Sequence, residues 1–256
     1  MMIVAYILIF ITGTVFASFI HLYATRLMRG ESIVKPRSHC PTCNHVLGPL
    51  ELVPIVSYMM LKGRCKKCNA KIGCDSLIVE ILTGFLFVVV YIVYGFTLKT
   101  VLGWVLVLVM MSVLITDFKD MIILDSTIII GSILSLLLLY LDKGLWDGLY
   151  KSILYGIFGF VLMFLIKIIG DAVFKRESLG GGDIKFAFLM GTVLPYDLFL
   201  IALITASLSA LPYALYISAS KKTHELAFGP FLAIGLFVTF LFQNHITEFL
   251  NVLLVR

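Results

Sequence analysis

Eight runs of apolar residues divide this sequence. They fall at roughly 3–20, 77–96, 98–116, 122–141, 148–169, 184–195, 197–218 and 228–250. A helix needs about 20 mostly apolar residues to cross the hydrocarbon core of a bilayer, and most of these runs are of that order. The sixth run is short and follows three glycines, so a half-length or partly unwound helix is expected there. Composition agrees with the runs. Hydrophobic residues make up 61% of the 256 and charged residues 14%, where soluble domains run near 45–50% and about 25%. That balance excludes an ordinary soluble globule, a disordered tail and a nucleic-acid binder. The net charge of +5 is not a nucleic-acid signal, because the positions of the charges matter more than their sum. The expected fold class is an all-α polytopic membrane protein with about eight transmembrane helices and one small soluble insert. No internal repeat or low-complexity stretch is evident.

The distribution of Lys and Arg orients these spans. The polar stretch 21–76 holds Arg26, Arg29, Lys35, Arg37, Lys62, Arg64, Lys66, Lys67 and Lys71 against only Glu31, Glu51 and Asp75. Short loops rich in Lys and Arg stay cytoplasmic. Alternation then brings the turns near 117–121, 170–185 and 219–227 to the same side, with Lys119, Lys175, Arg176, Lys185, Lys221 and Lys222, and with Lys167 at the membrane edge. Only Lys99, Lys143, Lys151 and Arg256 fall outside. No basic segment precedes the first run, so it reads as an uncleaved span with its N-terminus outside.

Four of the five cysteines form two C-x-x-C pairs, Cys40/Cys43 and Cys65/Cys68. Each pair turns two thiolates to one side of a tight loop, and two such loops supply a tetrahedral four-sulfur Zn²⁺ site. An insert of this size buries little core, so the metal would hold it together. A redox dithiol or a disulfide pair is the alternative, disfavoured because a cytoplasmic face keeps thiols reduced. Cys74 lies outside both pairs and reads as an ordinary thiol at the membrane edge.

Two acids stand out. Asp117 closes the third run, and Asp183 follows Gly180-Gly181-Gly182 and opens the sixth. The topology puts both at one depth on the cytoplasmic face, where ionisable groups are costly and usually functional. Two carboxyls within reach of each other share a proton. The ionised one can draw a proton from water while the protonated one donates to a peptide carbonyl, which is the chemistry of aspartyl proteolysis. The glycines would let an extended chain approach the backbone and permit unusual dihedrals. Lys185 would hold Asp183 ionised or orient a substrate carbonyl. The same aspartates could instead be helix caps at a wet interface. Asp120 and Asp125 are further candidates, and Glu80 opens the second run as a helix-start or snorkelling residue.

With these residues in view, the chain resembles the type IV prepilin peptidases, bifunctional leader peptidases and N-methyltransferases of type IV pili, competence and type II secretion. The resemblance runs through Ala17-Ser18-Phe19-Ile20-His21, Arg37 to Cys43, Pro54 to Tyr58, Gly63 to Cys68, Val79 to Gly84, Gly180 to Lys185 and Ala227 to Phe231. It implies that Asp117 and Asp183 are the catalytic pair of a GxGD aspartyl protease. Gly180, Gly181, Gly182, Lys185, Glu80 and Asp125 would support them or the substrate, and Cys40, Cys43, Cys65 and Cys68 would hold zinc. It implies cleavage of a basic leader after Gly at the cytoplasmic face of the bacterial plasma membrane. It also implies methylation of the new N-terminal amine by S-adenosylmethionine, with prepilins or pseudopilins and the bilayer as partners and no nucleic acid. Leu124, His21, Ala17, Ala227 and Asp75-Ser76-Leu77 depart from the family pattern. The expected layout is a first transmembrane helix over 1–20, a four-cysteine insert over 21–76 and a transmembrane protease domain over 77–256. Two other functions fit the chain less well, a peptidase without methylation and a zinc-ribbon membrane scaffold with no chemistry. A transporter would want charges buried in mid-span.

Overall fold

The computed structural model describes residues 2–220 and 226–254. Lys221, Lys222 and Arg256, which enter the charge count above, lie outside the described residues. The chain divides into two compact units, 1–92 and 93–256.

In the first unit, helix α1 covers Met2–Met28. It runs past the expected end at 20 because His21 to Met28 contains neither Gly nor Pro, and both are poor in a helix interior. Gly30, at φ +68, follows its end. Arg26 in the last turn donates from Nη1 to the carbonyls of Ser32 (3.0 Å) and Ile33 (3.1 Å), so the outgoing chain folds back on the helix end. The insert that follows is built from two knuckles of the same design. In one, Asn44 N–H donates to Cys40 O and Cys40 N–H to His45 O; in the other, Asn69 donates to Cys65 O and Cys65 to Ala70 O. Asn44 (φ +53) and Asn69 (φ +60) take the left-handed conformation that closes each turn, which Asn tolerates better than most residues. The knuckles are therefore a short repeat, overlooked in the sequence because only Cys and Asn recur. A 3-10 turn, Pro49–Leu52, and a short helix α2, Val56–Met60, lie between them. Helix α3, Asp75–Tyr94, returns against α1. A Cβ on Gly13 would lie 2.9 Å from Gly84 Cα, so these two helices touch through backbone.

The second unit holds α4 (Leu98–Asp120), α5 (Asp125–Gly144), α6 (Lys151–Phe174), α7 (Gly181–Val193), α8 (Tyr196–Ser220) and α9 (Gly229–Leu254). Among the described residues, six stretches are long and apolar enough to cross a membrane. One of these, 125–174, is not a single rod. Gly144 at φ +81 breaks its axis, and a Cβ on Gly148 would sit 2.1 Å from Leu139 O. Nine residues of straight helix would separate those positions by about 13 Å, so α5 and α6 are two helices joined at a reversal. The chain is a multi-pass membrane protein.

Helix α7 organises this unit. Its 13 residues reach about 20 Å, short of the roughly 30 Å core. The sixth run is thus half-length, as expected, but it is regular helix rather than unwound. It packs against α5, α6 and α9, and from Asp183 to Val193 it is buried except at Lys185 and Phe188. Small residues make this possible, because they let membrane helices approach closely. A Cβ on Gly191 would lie 2.2 Å from Tyr155 O, and one on Gly159 would lie 2.5 Å from Ala187 O. On the other side, α4 packs against α5 and α9, and Ser112 of α4 meets Thr127 of α5 at 2.9 Å.

Candidate active site and metal centre

Asp117 sits in the last turn of α4, 5% exposed. That helix stops at Met121, whose left-handed backbone (φ +54) lets its N–H return to Asp117 O. Residues 121–124 then turn the chain into α5, and Ile123 is tucked inward. Leu124 is the N-cap of α5 at φ −68. That is also the value a proline ring would fix.

Asp183 approaches from the other side. The segment leading to it is held at several points. Lys167 Nζ donates to Glu177 Oε1 and to Leu179 O, each at 2.8 Å. Ser178 donates to Asp171 Oδ1 from its N–H (2.7 Å) and from its hydroxyl (2.8 Å). Gly180 then caps α7 in extended backbone, φ −69 and ψ 146, and Asp183 occupies the first turn, 8% exposed. None of the three glycines has positive φ, so the expected unusual dihedrals are not present. Their value is lack of bulk. A Cβ on Gly182 would meet Ile123 at 3.0 Å, while one on Gly181 would meet nothing within 4 Å. Gly182 lets α7 close on the α4–α5 turn, and Gly181 leaves open backbone beside the acids.

Asp117, Asp183, Asp125, Gly180, Gly181, Gly182 and Lys185 line one cleft of about 520 Å³, together with Met121 to Leu124. Both carboxyls are buried. The backbone of Gly180 lies beside Asp183, and that of Gly229 beside Asp117. Asp117 Oδ2 is buried and has no hydrogen-bond partner among the described residues. A Cβ on Gly229 would lie 2.7 Å from that oxygen. Gly229 is thus a member of the site that sequence reasoning missed; it lies in the 227–231 element noted above, but nothing in that element pointed to Asp117. Lys185 is paired with Asp125. Its Nζ bridges both oxygens of Asp125 at 2.7 and 2.8 Å, joining the start of α7 to the start of α5.

Glu80 is not in the cleft lining. It belongs to the first unit, where its carboxylate accepts from the N–H of Ile55 (2.8 Å) and the hydroxyl of Ser76 (3.0 Å). Those bonds tie α3 to the start of α2. Glu51, one of the three acids of the stretch 21–76, is likewise engaged. It accepts the N–H of Gly48 at 2.7 Å and meets His45 Nε2 at 3.2 Å. The Gly48 bond, and then His45, hold its carboxyl below the usual range despite the opposing cost of burial.

The four thiols converge, with all sulfurs within 4.8 Å of one another. Cys40 and Cys68 are 3.8 Å apart, and Cys43 and Cys65 are 3.9 Å apart. A disulfide would need about 2.05 Å. A tetrahedral ion about 2.3 Å from each sulfur spaces the sulfurs by about 3.8 Å. The cluster therefore has the dimensions of a four-sulfur metal site. The N–H groups of Cys43 and then Thr42 bring the Cys40 thiol down to about 6. Cys68, although helped by the Ala70 N–H, is pushed up to about 12 by burial and by the three other sulfurs. A metal ion held by these four sulfurs would favour their thiolate forms.

Comparison with known proteins agrees with this division into units. Residues 11–94 match the family model described as the bacterial peptidase A24 N-terminal domain, and residues 104–215 match the type IV leader peptidase family. A prepilin leader peptidase/N-methyltransferase of Bacillus subtilis (strain 168) is 32% identical over 248 residues, covering 94% of this chain and 96% of that one. A protein of the same name from Myxococcus xanthus (strain DK1622) is 31% identical over 202 residues; the match spans 79% of this chain and 60% of that longer relative. The type 4 prepilin-like proteins leader peptide-processing enzyme of Escherichia coli O78:H11 is 32% identical over 230 residues, 83% of this chain and 78% of the relative. No solved structure matches. The chain belongs to the type IV leader peptidase family.

Proposed function

We propose that this chain is a membrane aspartyl endopeptidase that removes the basic leader of type IV prepilin-like proteins, and that Asp117 and Asp183 are its catalytic pair. One observation carries the reading. Two buried aspartates from different helices line a single cleft, one wall of which is glycine backbone. The ionised carboxyl takes a proton from water as the water attacks the scissile carbonyl. The protonated carboxyl donates to the carbonyl oxygen. Collapse of the tetrahedral intermediate breaks the C–N bond, and a proton passes to the leaving amine. A helical peptide bond is shielded, so the substrate unwinds locally at the cleft, beside the open backbone of Gly181.

Cleavage falls after a Gly, at the cytoplasmic face of the plasma membrane, with the chain's N-terminus outside. The excess of Lys and Arg in residues 21–76 supports that sidedness. The new N-terminal amine is then methylated with S-adenosylmethionine as co-substrate, a reading supported by the names of the relatives. Cys40, Cys43, Cys65 and Cys68 hold a structural Zn²⁺, which would supply folding energy to the insert and no chemistry to the cleft. The test is intact mass of a prepilin incubated with purified enzyme, with and without S-adenosylmethionine. Loss of the leader, and a gain of one CH₂ group only when the methyl donor is present, is the expected result. A product that never gains the CH₂ would leave a peptidase alone, and an uncleaved prepilin would contradict the proposal.

A further inference from the structure

The cleft is not the only concavity in the second unit. A groove of about 500 Å³ runs along α5, walled by Ile129, Ile133 and Leu136 on one side and Phe160 of α6 on the other, with Phe188 of α7 as its floor. It exists because α7 packs on both α5 and α6 while those two helices have few contacts with each other. Its polar lining is confined to Ser132 and to one end, where Asp125 and Lys185 form their ion pair. The same two residues line the aspartate cleft. Groove and cleft therefore adjoin, with the ion pair as their shared lip.

We infer that this groove seats the apolar segment of the substrate on the far side of the scissile bond from its leader. The inference rests on the peptidase reading of the cleft. A chain held with its scissile bond between Asp117 and Asp183 can leave past the shared lip along the groove. The groove follows α5 from its first turn into the apolar part of the unit. Asp125 to Leu136 spans about 16 Å of helix, so about eleven helical residues of substrate fit alongside. The walls offer one hydroxyl and no charge beyond the lip, so the segment they accept is predominantly apolar. Ile129 (57% exposed) and Ile133 (60%) present free surface to it.

The test uses full-length enzyme in lipid nanodiscs with a single-span prepilin. A photoreactive benzophenone side chain replaces Ile129, Ile133 or, as a control on α8, Leu208, and adducts are mapped by mass spectrometry. The expected result is adducts from positions 129 and 133 to the first dozen or so residues after the cut, and none from 208. Lipid adducts only, or equal adducts from 208, would overturn the groove assignment while cleavage by the same preparation left the peptidase reading standing. Cleavage by Asp117→Asn and Asp183→Asn would instead remove the reading beneath it. Independently, Ile133→Trp should raise KM for the membrane-embedded prepilin about tenfold and change kcat less than about twofold. A fall in kcat at unchanged KM would contradict the assignment.

Discussion

At the scale of single residues, the site depends on what is left out as much as on what is present. Gly229 brings α9 against Asp117, and a methyl group there would stand 2.7 Å from the carboxylate and from Ile123. Gly229→Ala should therefore lower kcat by about 10²-fold by displacing Asp117, with the helical circular dichroism unchanged. Wild-type turnover would show that the contact has no part in positioning the acid. That Asp117 and Asp183 stand out is legible in the sequence, because one closes an apolar run and the other opens one after three glycines; that they line one cleft is what the structure adds. The pairing of Lys185 with Asp125 is not legible in the sequence, although one reason it turns from Asp183 is elementary. Residues two apart on a helix do not face each other, so once Asp183 and Lys185 share α7 their side chains diverge. Asp125, sixty residues away in sequence, is the group that Lys185 meets. Gly229 was hidden for a different reason: proximity to an acid on another helix leaves no periodic trace.

At the scale of elements, α7 and the insert are each held by a local device. The short α7 keeps its depth through backbone contacts at Gly159 and Gly191. Gly191→Ala should destabilise the protein by about 1–3 kcal/mol, because nothing around the site is free to yield to the added carbon. A thermal melt in detergent reads this, and an unchanged midpoint would contradict the packing described. The insert depends on its sulfurs. Chelation, or Cys65→Ser, should release one Zn²⁺ per chain and expose the residues between α1 and α3 to proteolysis, as metal mass analysis and limited digestion would show. Retention of a protected insert without metal would refute a structural ion. The C-x-x-C spacing made this site legible from the sequence. The left-handed Asn44 and Asn69, and the 3-10 turn between the knuckles, were not, because they answer to chain closure rather than to hydrophobic pattern.

At the scale of the whole molecule, hydrophobic periodicity located every long helix and missed mainly their ends. Helix α1 outran its apolar run, α7 proved to be regular half-length helix, and the α5–α6 reversal hangs on Gly144 and a π-helical turn, Leu145–Tyr150. The runs mark what lipid or core will accept, while helix ends are set by caps and by single glycines. The positive-inside pattern predicts that Cys74 and the insert face the cytoplasm. In intact cells, a membrane-impermeant maleimide should leave Cys74 unmodified until the membrane is opened; labelling in sealed cells would invert the proposed topology. The central claim, that Asp117 and Asp183 together perform the cleavage, is tested most directly by weighing a prepilin after incubation with wild-type enzyme, Asp117→Asn and Asp183→Asn. Folded, metal-loaded variants should each leave the leader in place where the wild type removes it, and removal at a comparable rate by either variant would contradict the account.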